Sequence, residues 1–149
     1  MELVLKNALG YIIRNVSLLL MNRINQNFLS EGFDITAEQL RVLVALWDQD
    51  EQSQIALGES VGKYKTSVTK LIDGLEKRNL IIRVPSKNDR RSNTIKLTKL
   101  GINIRSKLVP IIEKTLSEAQ QGISPDELAT CKKVLLAIGE NLKGTAAAT

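Results

Sequence analysis

Residues 59–101 read ESVGKYKTSVTKLIDGLEKRNLIIRVPSKNDRRSNTIKLTKLG, and this stretch decides the fold. Its first half predicts a helix over 65–78, because apolar side chains recur there at i, i+3, i+4 and i+7. These side chains are Val68, Leu71, Ile72 and Leu75. Asn79 follows them, and asparagine tolerates the left-handed conformation in which many helices end.

The second half of the stretch predicts a β-hairpin. Two strand-like runs, 80–84 and 94–97, flank a polar loop. Charged residues crowd this loop: Lys87, Asp89, Arg90 and Arg91. A solvated turn can carry charge for solubility alone, so the role of this charge depends on what surrounds the hairpin.

Two helices are predicted upstream. Thr36 and Gln39 have the spacing of a capping box, which predicts a helix over 37–48. Its buried face is expected to contain Leu40, Leu43, Val44 and Trp47. A short helix over 54–61 then ends at Gly62. Its inward residues are expected to be Ile55, Ala56 and Leu57.

Long helices are predicted at both ends of the chain. The first spans 3–29, where apolar residues follow helical spacing without a proline. A second helix, over 99–120, begins after the capping residue Thr98, and Pro110 is expected to kink it.

The last helix has the strongest start signal of the chain. Ser124, Pro125 and Glu127 supply an N-cap, a proline at the first helical position and a glutamate at the third, and this helix is expected to reach 143. Residues 144–149 are expected to form a flexible tail. The order of elements predicts a mainly α fold with a small β-hairpin wing: a winged helix-turn-helix lobe with helical extensions on both sides.

The composition excludes several kinds of active site. The 149 residues include no histidine, which excludes His-containing zinc sites, Ser-His-Asp triads and Cys-His pairs. Carboxylates, lysines and one thiol remain, but no constellation of them supports catalysis, so we expect neither an enzyme nor a cofactor or metal. The single cysteine, no membrane-length apolar run and no secretory signal together predict a cytoplasmic protein without membrane contact.

Charge is sorted along the chain. Between Ser60 and Lys107 there are 13 Lys or Arg residues against three acids, a net charge of +10, whereas the remainder carries −5. Solubility does not require such sorting, but a surface that binds phosphates does. A basic face that is merely solvated is the alternative.

The predicted helix over 65–78 has a polar face at its N-terminal end. It consists of Lys65, Thr66, Ser67, Thr69 and Lys70. Small hydroxyls and lysines suit close approach to a DNA duplex, whose phosphates and base edges they can reach. The hairpin tip is narrow enough for a minor groove, whose negative potential attracts guanidinium groups. Asp89 is expected to hold a neighbouring arginine; the alternative is a local surface ion pair.

This stretch resembles the winged helix-turn-helix of MarR-type transcriptional regulators. The resemblance rests on the spacing from Thr69-Lys70 through GLEKRNLI to DRR and LTKLG, and it is specific over about 36–101. It implies a homodimer that binds a pseudo-palindromic operator in double-stranded DNA, with the 65–78 helix in the major groove. It implies recognition-helix contacts from Thr66, Ser67, Thr69 and Lys70. It also implies a wing Asp-x-Arg pair, Asp89 and Arg91, with Arg91 in the minor groove and Lys87 and Arg90 on phosphates.

Two residues call for comment beside this resemblance. Tyr64 stands where the family often has a capping Asp or Ser, and it can contribute a phosphate contact instead. Thiol-sensing members of the family use a cysteine in the first helix, which this chain lacks. Cys131 lies among apolar residues near the other end and is expected to be a small core or interface residue.

The domain organisation follows from the resemblance. We expect a single domain over 1–149, with the DNA-binding lobe at 36–100 and dimerisation helices at 1–30 and 101–143. Relatives often bind anionic or aromatic effectors, and the aromatic candidates for such a pocket are Tyr11, Phe28, Phe33 and Trp47. The function expected is that of a sequence-specific regulator, most simply a repressor. A winged helix used for protein–protein assembly, without specific DNA binding, stays the alternative.

Overall fold

The computed structural model describes residues 4–62, 65–87 and 92–147, with only the backbone at Lys65, Thr66 and 145–147. After a short 3-10 turn (Leu5–Asn7), the helices are α1 (Leu9–Ser30), α2 (Ala37–Asp48), α3 (Gln54–Val61), α4 (Lys65–Lys77), α5 (Lys99–Asn103), α6 (Arg105–Ala119) and α7 (Pro125–Ala147). The strands are β1 (Gln52–Ser53), β2 (Ile81–Pro85) and β3 (Asn93–Leu97). The described residues group into two compact units, the first extending to Thr115 and the second beginning at Leu116. The fold class is as predicted: mainly helical, with a small antiparallel sheet.

The sheet has three strands in the order β1-β3-β2, and both pairings are antiparallel. In the hairpin, Ile81 lies opposite Leu97 and Pro85 opposite Asn93. The sequence does not predict β1, because two residues are too few to show an alternating pattern. This strand attaches the hairpin to the loop after α2, where the Asp50 carboxylate also accepts a hydrogen bond from Leu97 N at 2.9 Å.

The hydrophobic core lies in the first unit and joins the helices to the base of the hairpin. Its fully buried side chains are Phe28, Val42, Leu43, Leu46, Leu57, Val68, Ile72, Leu75, Leu80, Ile81, Ile95 and Leu108. The α4 stripe is buried as predicted, except that Leu71 is half-buried. Because Ile81 and Ile95 stand in this core, the strands leave it in a fixed direction.

Side chains cap the helices where the sequence predicts caps. Thr36 Oγ1 accepts from Gln39 N at 3.1 Å and Gln39 Oε1 accepts from Thr36 N at 3.1 Å, which completes the capping box of α2. Thr98 caps α5, and Ser124 with Glu127 caps α7 in the same reciprocal way. Gly62 ends α3 with φ +65°, and Asn79 follows α4 with φ +59°. These predictions are confirmed.

Two predictions about buried faces are wrong. Val44 is 50% exposed and Ile55 is 66% exposed, although both are expected inside from the sequence. In α2, Leu40 and Leu43 are buried as predicted, whereas Val42 and Leu46 are buried without having been predicted. Apolar residues occur on most sides of these helices, so their spacing alone does not identify the face that packs.

The first helix is shorter than predicted. It begins at Leu9 and not at residue 3, because Ala8 is extended (φ −67°, ψ 140°) and separates α1 from the short 3-10 turn. Asn7 and Gly10 flank this break, and both have low helix propensity. No side chain caps the start of α1.

The C-terminal helices differ from the prediction at two points. The predicted helix over 99–120 is divided at Ile104, whereas Pro110 lies inside α6. Ile104 keeps right-handed helical angles (φ −65°, ψ −23°), so the interruption is local. The last helix runs to Ala147, so residues 144–147 are helical and not a tail as predicted; alanine favours this extension.

Candidate nucleic-acid interface

Helices α3 and α4 form the helix-turn-helix pair. Ser53 caps α3 by accepting from Ala56 N at 3.1 Å, and Gly62 turns the chain away at its other end. Leu57 and Val61 of α3 and Val68 of α4 are buried in the same cluster. The apolar face of α4 is therefore turned inward, and its polar face is left at the surface.

The exposed face of α4 presents two of the predicted recognition residues to solvent. Ser67 and Lys70 are exposed, and Lys70 has no ion-pair partner in the part of the chain that is described. Tyr64 and the side chains of Lys65 and Thr66, also predicted there, lie outside the described residues. Among the described side chains, Ser67 therefore supplies the hydroxyl group and Lys70 the positive charge predicted for this end of the helix.

Thr69 differs from its neighbours. It is half-buried, and its hydroxyl accepts a hydrogen bond from Gln54 Nε2 at 2.7 Å. Gln54 is the first residue of α3, so this bond joins the start of α3 to the recognition face of α4. The sequence singles out Thr69 as a DNA contact; within the protein it also fixes the two helices to each other.

The wing consists of β2, β3 and the loop between them. Ser86 N donates to Ser92 O at 3.1 Å beyond the last strand pair, so pairing extends toward the tip. Lys87 is exposed and has no ion-pair partner among the described residues. The predicted contacts Asp89, Arg90 and Arg91 lie outside the described residues.

Arg83 on β2 connects the wing to α4, and sequence reasoning missed it. Its guanidinium forms ion pairs with Glu76 Oε1 at 2.9 Å and with the carboxylate of Asp73. Its backbone N donates to Glu76 Oε2 at 3.2 Å. The sequence feature that could have predicted these contacts is the presence of two acids, Asp73 and Glu76, in a strongly basic segment, where they are expected to pair with a nearby cation.

The other end of the wing is fixed to the core at Gly101. Trp47 Nε1 donates to Gly101 O at 2.9 Å, and Thr98 Oγ1 accepts from Gly101 N at 3.0 Å. A Cβ atom at Gly101 would overlap the carbonyl oxygen of Leu80. The LTKLG motif therefore requires glycine because two backbone segments meet there.

Some basic residues between Ser60 and Lys107 form ion pairs within the described part of the protein, and others do not. Arg83 is paired as above, Arg78 pairs with Asp34 at 2.8 Å, and Lys96 pairs with Glu51 at 3.4 Å. Lys70 and Lys87 stand at the recognition helix and the wing without such partners in the described ranges. Lys70 and Lys87, on the two elements predicted to approach DNA, are thus among the basic residues of this segment whose charge is available to a phosphate.

A cavity of about 280 Å³ lies beside the C-terminal end of α1. Its lining residues are Asn27, Ser30, Glu31, Phe33, Lys107, Pro110, Ile111 and Lys114. Of the four predicted effector-pocket residues, only Phe33 lines this cavity. Phe28 is fully buried in the core, Tyr11 is 47% exposed, and Trp47 is engaged with Gly101.

Each unit also exposes large apolar side chains on a terminal helix. In α1 they are Leu9, Tyr11, Ile12, Ile13, Val16, Leu18, Leu19 and Leu29, at 39–69% exposure. In α7 they are Val134, Leu135, Leu136 and Leu142, at 39–72%. Cys131 is exposed on α7 in the single chain, so of the two positions predicted for it the core position is wrong and the interface position stays a prediction. Apolar surface of this extent is typical of faces that pack against another chain.

Neither a metal cluster nor a membrane span is found in the described part of the chain. Among the residues that the structure describes, no group of three or more His, Cys, Asp or Glu side chains could hold a metal ion. Within the same described ranges, no helix combines the length and the apolar character needed to cross a bilayer.

Comparison with known proteins agrees with this architecture. The model of the MarR family matches residues 35–93. The fold is similar to that of a MarR-family transcriptional regulator from Rhodococcus sp. RHA1 (TM-score 0.81, 20% identity, 92% of this chain and 96% of that chain). It is also similar to BpsR of Bordetella bronchiseptica, whose DNA binding is regulated by 6-hydroxynicotinic acid (TM-score 0.80, 22% identity, 93% and 98%).

A further similar structure is that of reduced AbfR bound to DNA (TM-score 0.77, 23% identity, 95% of this chain and 94% of that chain). The family match covers the helix-turn-helix, β2 and the start of β3, whereas the structural matches extend over the terminal helices. Residues 35–93 of this chain match the model of the MarR family, and the chain has the winged-helix fold seen in structures of MarR-family transcriptional regulators.

Proposed function

We propose that this chain is a sequence-specific DNA-binding regulator that binds a pseudo-palindromic operator as a homodimer. The observation that carries the proposal is the exposed end of α4, where Ser67 and Lys70 face solvent and Lys70 has no ion-pair partner among the described residues, with Lys87 exposed on the adjoining wing. Hydroxyls and lysines at a helix N-terminus suit phosphates and base edges. The structurally similar AbfR has been determined bound to DNA, and in our proposal this chain binds DNA through its helix-turn-helix and wing.

In the proposed complex, α4 lies in the major groove and the wing tip reaches the minor groove. Thr66, Ser67, Thr69 and Lys70 would approach bases and the adjacent backbone, with Tyr64 and Lys65 on phosphates. Arg91 would enter the minor groove, held by Asp89, while Lys87 and Arg90 meet phosphates. A groove-inserted arginine is attracted by the negative potential of a narrow minor groove.

A second copy of the chain would complete the binding unit. The apolar faces of α1 and α7 offer the surface for it, because their large side chains are exposed in the single chain. A two-fold dimer presents two recognition helices about 34 Å apart, one turn of DNA, which matches a pseudo-palindromic operator. A dimer seated on a promoter excludes polymerase, so we propose repression as its effect.

A small anionic or aromatic effector would release the DNA. The cavity beside Phe33 has lysines at two positions, Lys107 and Lys114, and its volume of about 280 Å³ suits a small aromatic acid. The DNA binding of BpsR, a structurally similar protein, is regulated by 6-hydroxynicotinic acid, an aromatic acid. Titrating a protein–operator complex with aromatic carboxylates tests this part, and release of DNA is the expected result.

Binding to DNA from the chain's own promoter region tests the main proposal. The affinity is measured against a scrambled duplex of equal length at two salt concentrations. We expect preference for the promoter fragment and weaker binding at higher salt, because neutralised phosphates release counterions. Equal affinity for both duplexes would contradict specific recognition and favour a protein–protein assembly module.

The wing is tested separately with Arg91→Ala. Loss of a groove contact should weaken operator binding by about 1–3 kcal/mol and relax the sequence preference near that contact. Lys143→Ala is the matched control, since Lys143 lies on α7 and pairs with Glu140 at 3.1 Å. An unchanged operator affinity of Arg91→Ala would show that the wing assignment is wrong.

A further inference from the structure

Arg83 forms a three-point connection between the wing and the recognition helix. Its Nη1 lies 2.9 Å from Glu76 Oε1, its Nη2 contacts Asp73 Oδ1, and its backbone N donates to Glu76 Oε2 at 3.2 Å. Arg83 is the third residue of β2, whereas both acids lie on α4. The two oxygens of Glu76 therefore hold both the backbone and the side chain of one wing residue.

This connection is better ordered than an ordinary surface ion pair. The Arg83 side chain is only 20% exposed, against 51% for Asp73 and 42% for Glu76. A guanidinium is planar, and two carboxylates that bind its separate nitrogens fix its orientation as well as its position. Exposed pairs such as that of Lys96 with Glu51, at 3.4 Å, lack this constraint.

The acids of this connection stand near the proposed DNA contacts. Asp73 follows Lys70 by three residues on α4, so the two side chains lie on neighbouring turns of the same face. The direction in which β2 leaves α4 determines where the wing tip lies relative to Lys70. Arg83 is held by α4 at three atoms, so these contacts constrain the angle between helix and wing in addition to the core packing of Ile81 and Ile95.

We infer that Arg83 is a positioning residue for DNA binding: through Asp73 and Glu76 it sets the placement of the wing relative to the recognition helix, without contacting DNA itself. The inference rests on the proposed function. It differs from the contacts assigned to Arg91 and Lys70, because the ion pairs occupy the guanidinium of Arg83 inside the protein.

A double-mutant cycle separates positioning from direct contact. Arg83→Met is measured in the wild-type background and in the background Asp73→Asn/Glu76→Gln. We expect Arg83→Met to weaken operator binding about tenfold in the wild type but less than about threefold when the acids are already neutral. An equal loss in both backgrounds would identify a direct DNA contact and overturn the inference, as would no loss in either.

Arg83→Lys provides a second discrimination. It keeps the positive charge, but a single ammonium cannot reproduce the forked contact with two carboxylates. If Arg83 is a positioning residue, Arg83→Lys should weaken operator binding nearly as much as Arg83→Met does. If Arg83 contacts a phosphate, Arg83→Lys should bind the operator with near wild-type affinity. Lys96→Met is the matched control, because it removes one positive charge from β3 and an ion pair that does not involve α4.

A distance measurement excludes a purely structural explanation. Nitroxide labels are attached at Lys77→Cys on α4 and Lys87→Cys on the wing, in a Cys131→Ser background, with labelled chains diluted into unlabelled protein. We expect a narrow distance distribution with Arg83 present and a broader or shifted one in Arg83→Met, while circular dichroism shows both folded. Identical distributions would overturn the inference.

The two proposals can fail independently. If the wild-type chain does not prefer its promoter fragment to scrambled DNA, the proposed function fails, whatever the label distances show. If the wild type binds specifically, Arg91→Ala weakens it and Arg83→Met does not, the function stands and the positioning role of Arg83 is wrong.

Discussion

Gly101 lies where the turn after α4 meets the start of α5, and a side chain at this position has no room. A Cβ atom there would overlap the Leu80 carbonyl oxygen, and the Gly101 carbonyl is itself bonded to Trp47 at 2.9 Å. Since both contacts involve backbone, Gly101→Ala should destabilise the fold by about 1–3 kcal/mol, measured by urea unfolding. Gly10→Ala is the control: no atom lies within 4 Å of its Cβ position, so unchanged or slightly increased stability is expected.

Lys70 is the described residue at which the DNA-binding hypothesis is most directly tested. Lys70→Ala should weaken binding to all DNA sequences and reduce the slope of log affinity against log salt by about 1, since one phosphate contact is lost. Fluorescence anisotropy at several salt concentrations measures both effects. A slope equal to that of wild type would contradict a phosphate contact by Lys70.

At the scale of elements, α2 depends on the reciprocal cap between Thr36 and Gln39. Thr36→Ala removes the acceptor for Gln39 N and should lower the free energy of unfolding by about 1 kcal/mol. Thr36→Ser keeps an oxygen at the same place and should retain most of the stability. If both variants unfold at the same denaturant concentration as wild type, the cap contributes nothing measurable.

The elements also differ in whether they depend on residues nearby in the sequence or on residues far away in it. The helix boundaries at α3, α4 and the start of α7 follow from caps and breakers a few residues apart, and the sequence predicts them closely. The burial of Val44 and Ile55 is predicted wrongly, because both helices carry apolar residues on several sides and spacing alone does not show which side packs. Strand β1 exists only because Gln52 and Ser53 pair with Ile95 and Thr94, about 40 residues later along the chain.

At the scale of the whole molecule, the exposed leucines of α1 and α7 predict a dimer. Leu19 is 69% exposed in the single chain, and Leu19→Glu should raise the dimer dissociation constant by about tenfold or more, because burial of a charge in an apolar interface is unfavourable. Analytical ultracentrifugation measures this change. Ile55→Glu is the control, since Ile55 is equally exposed, at 66%, but lies on α3. A wild-type monomer at micromolar concentration would contradict the dimer.

The sequence by itself determined the winged helix-turn-helix order, the capped helix starts and the sorting of charge between lobe and flanks. These properties depend on residue type and on spacing within one or two helical turns. The predicted contacts at Ser67, Lys70 and Lys87 belong to this class, because their exposure follows from the apolar stripe of α4 and from the hairpin.

Only the tertiary structure decided how these parts are held together. Trp47 bonds to Gly101, Asp34 pairs with Arg78, and Arg83 meets two carboxylates of α4. The first two partnerships join residues 54 and 44 positions apart, a separation over which no sequence periodicity acts. Residues 59–101 thus specified which side chains are exposed on α4 and the wing, whereas packing between distant residues fixed the direction in which the helix and the wing present them.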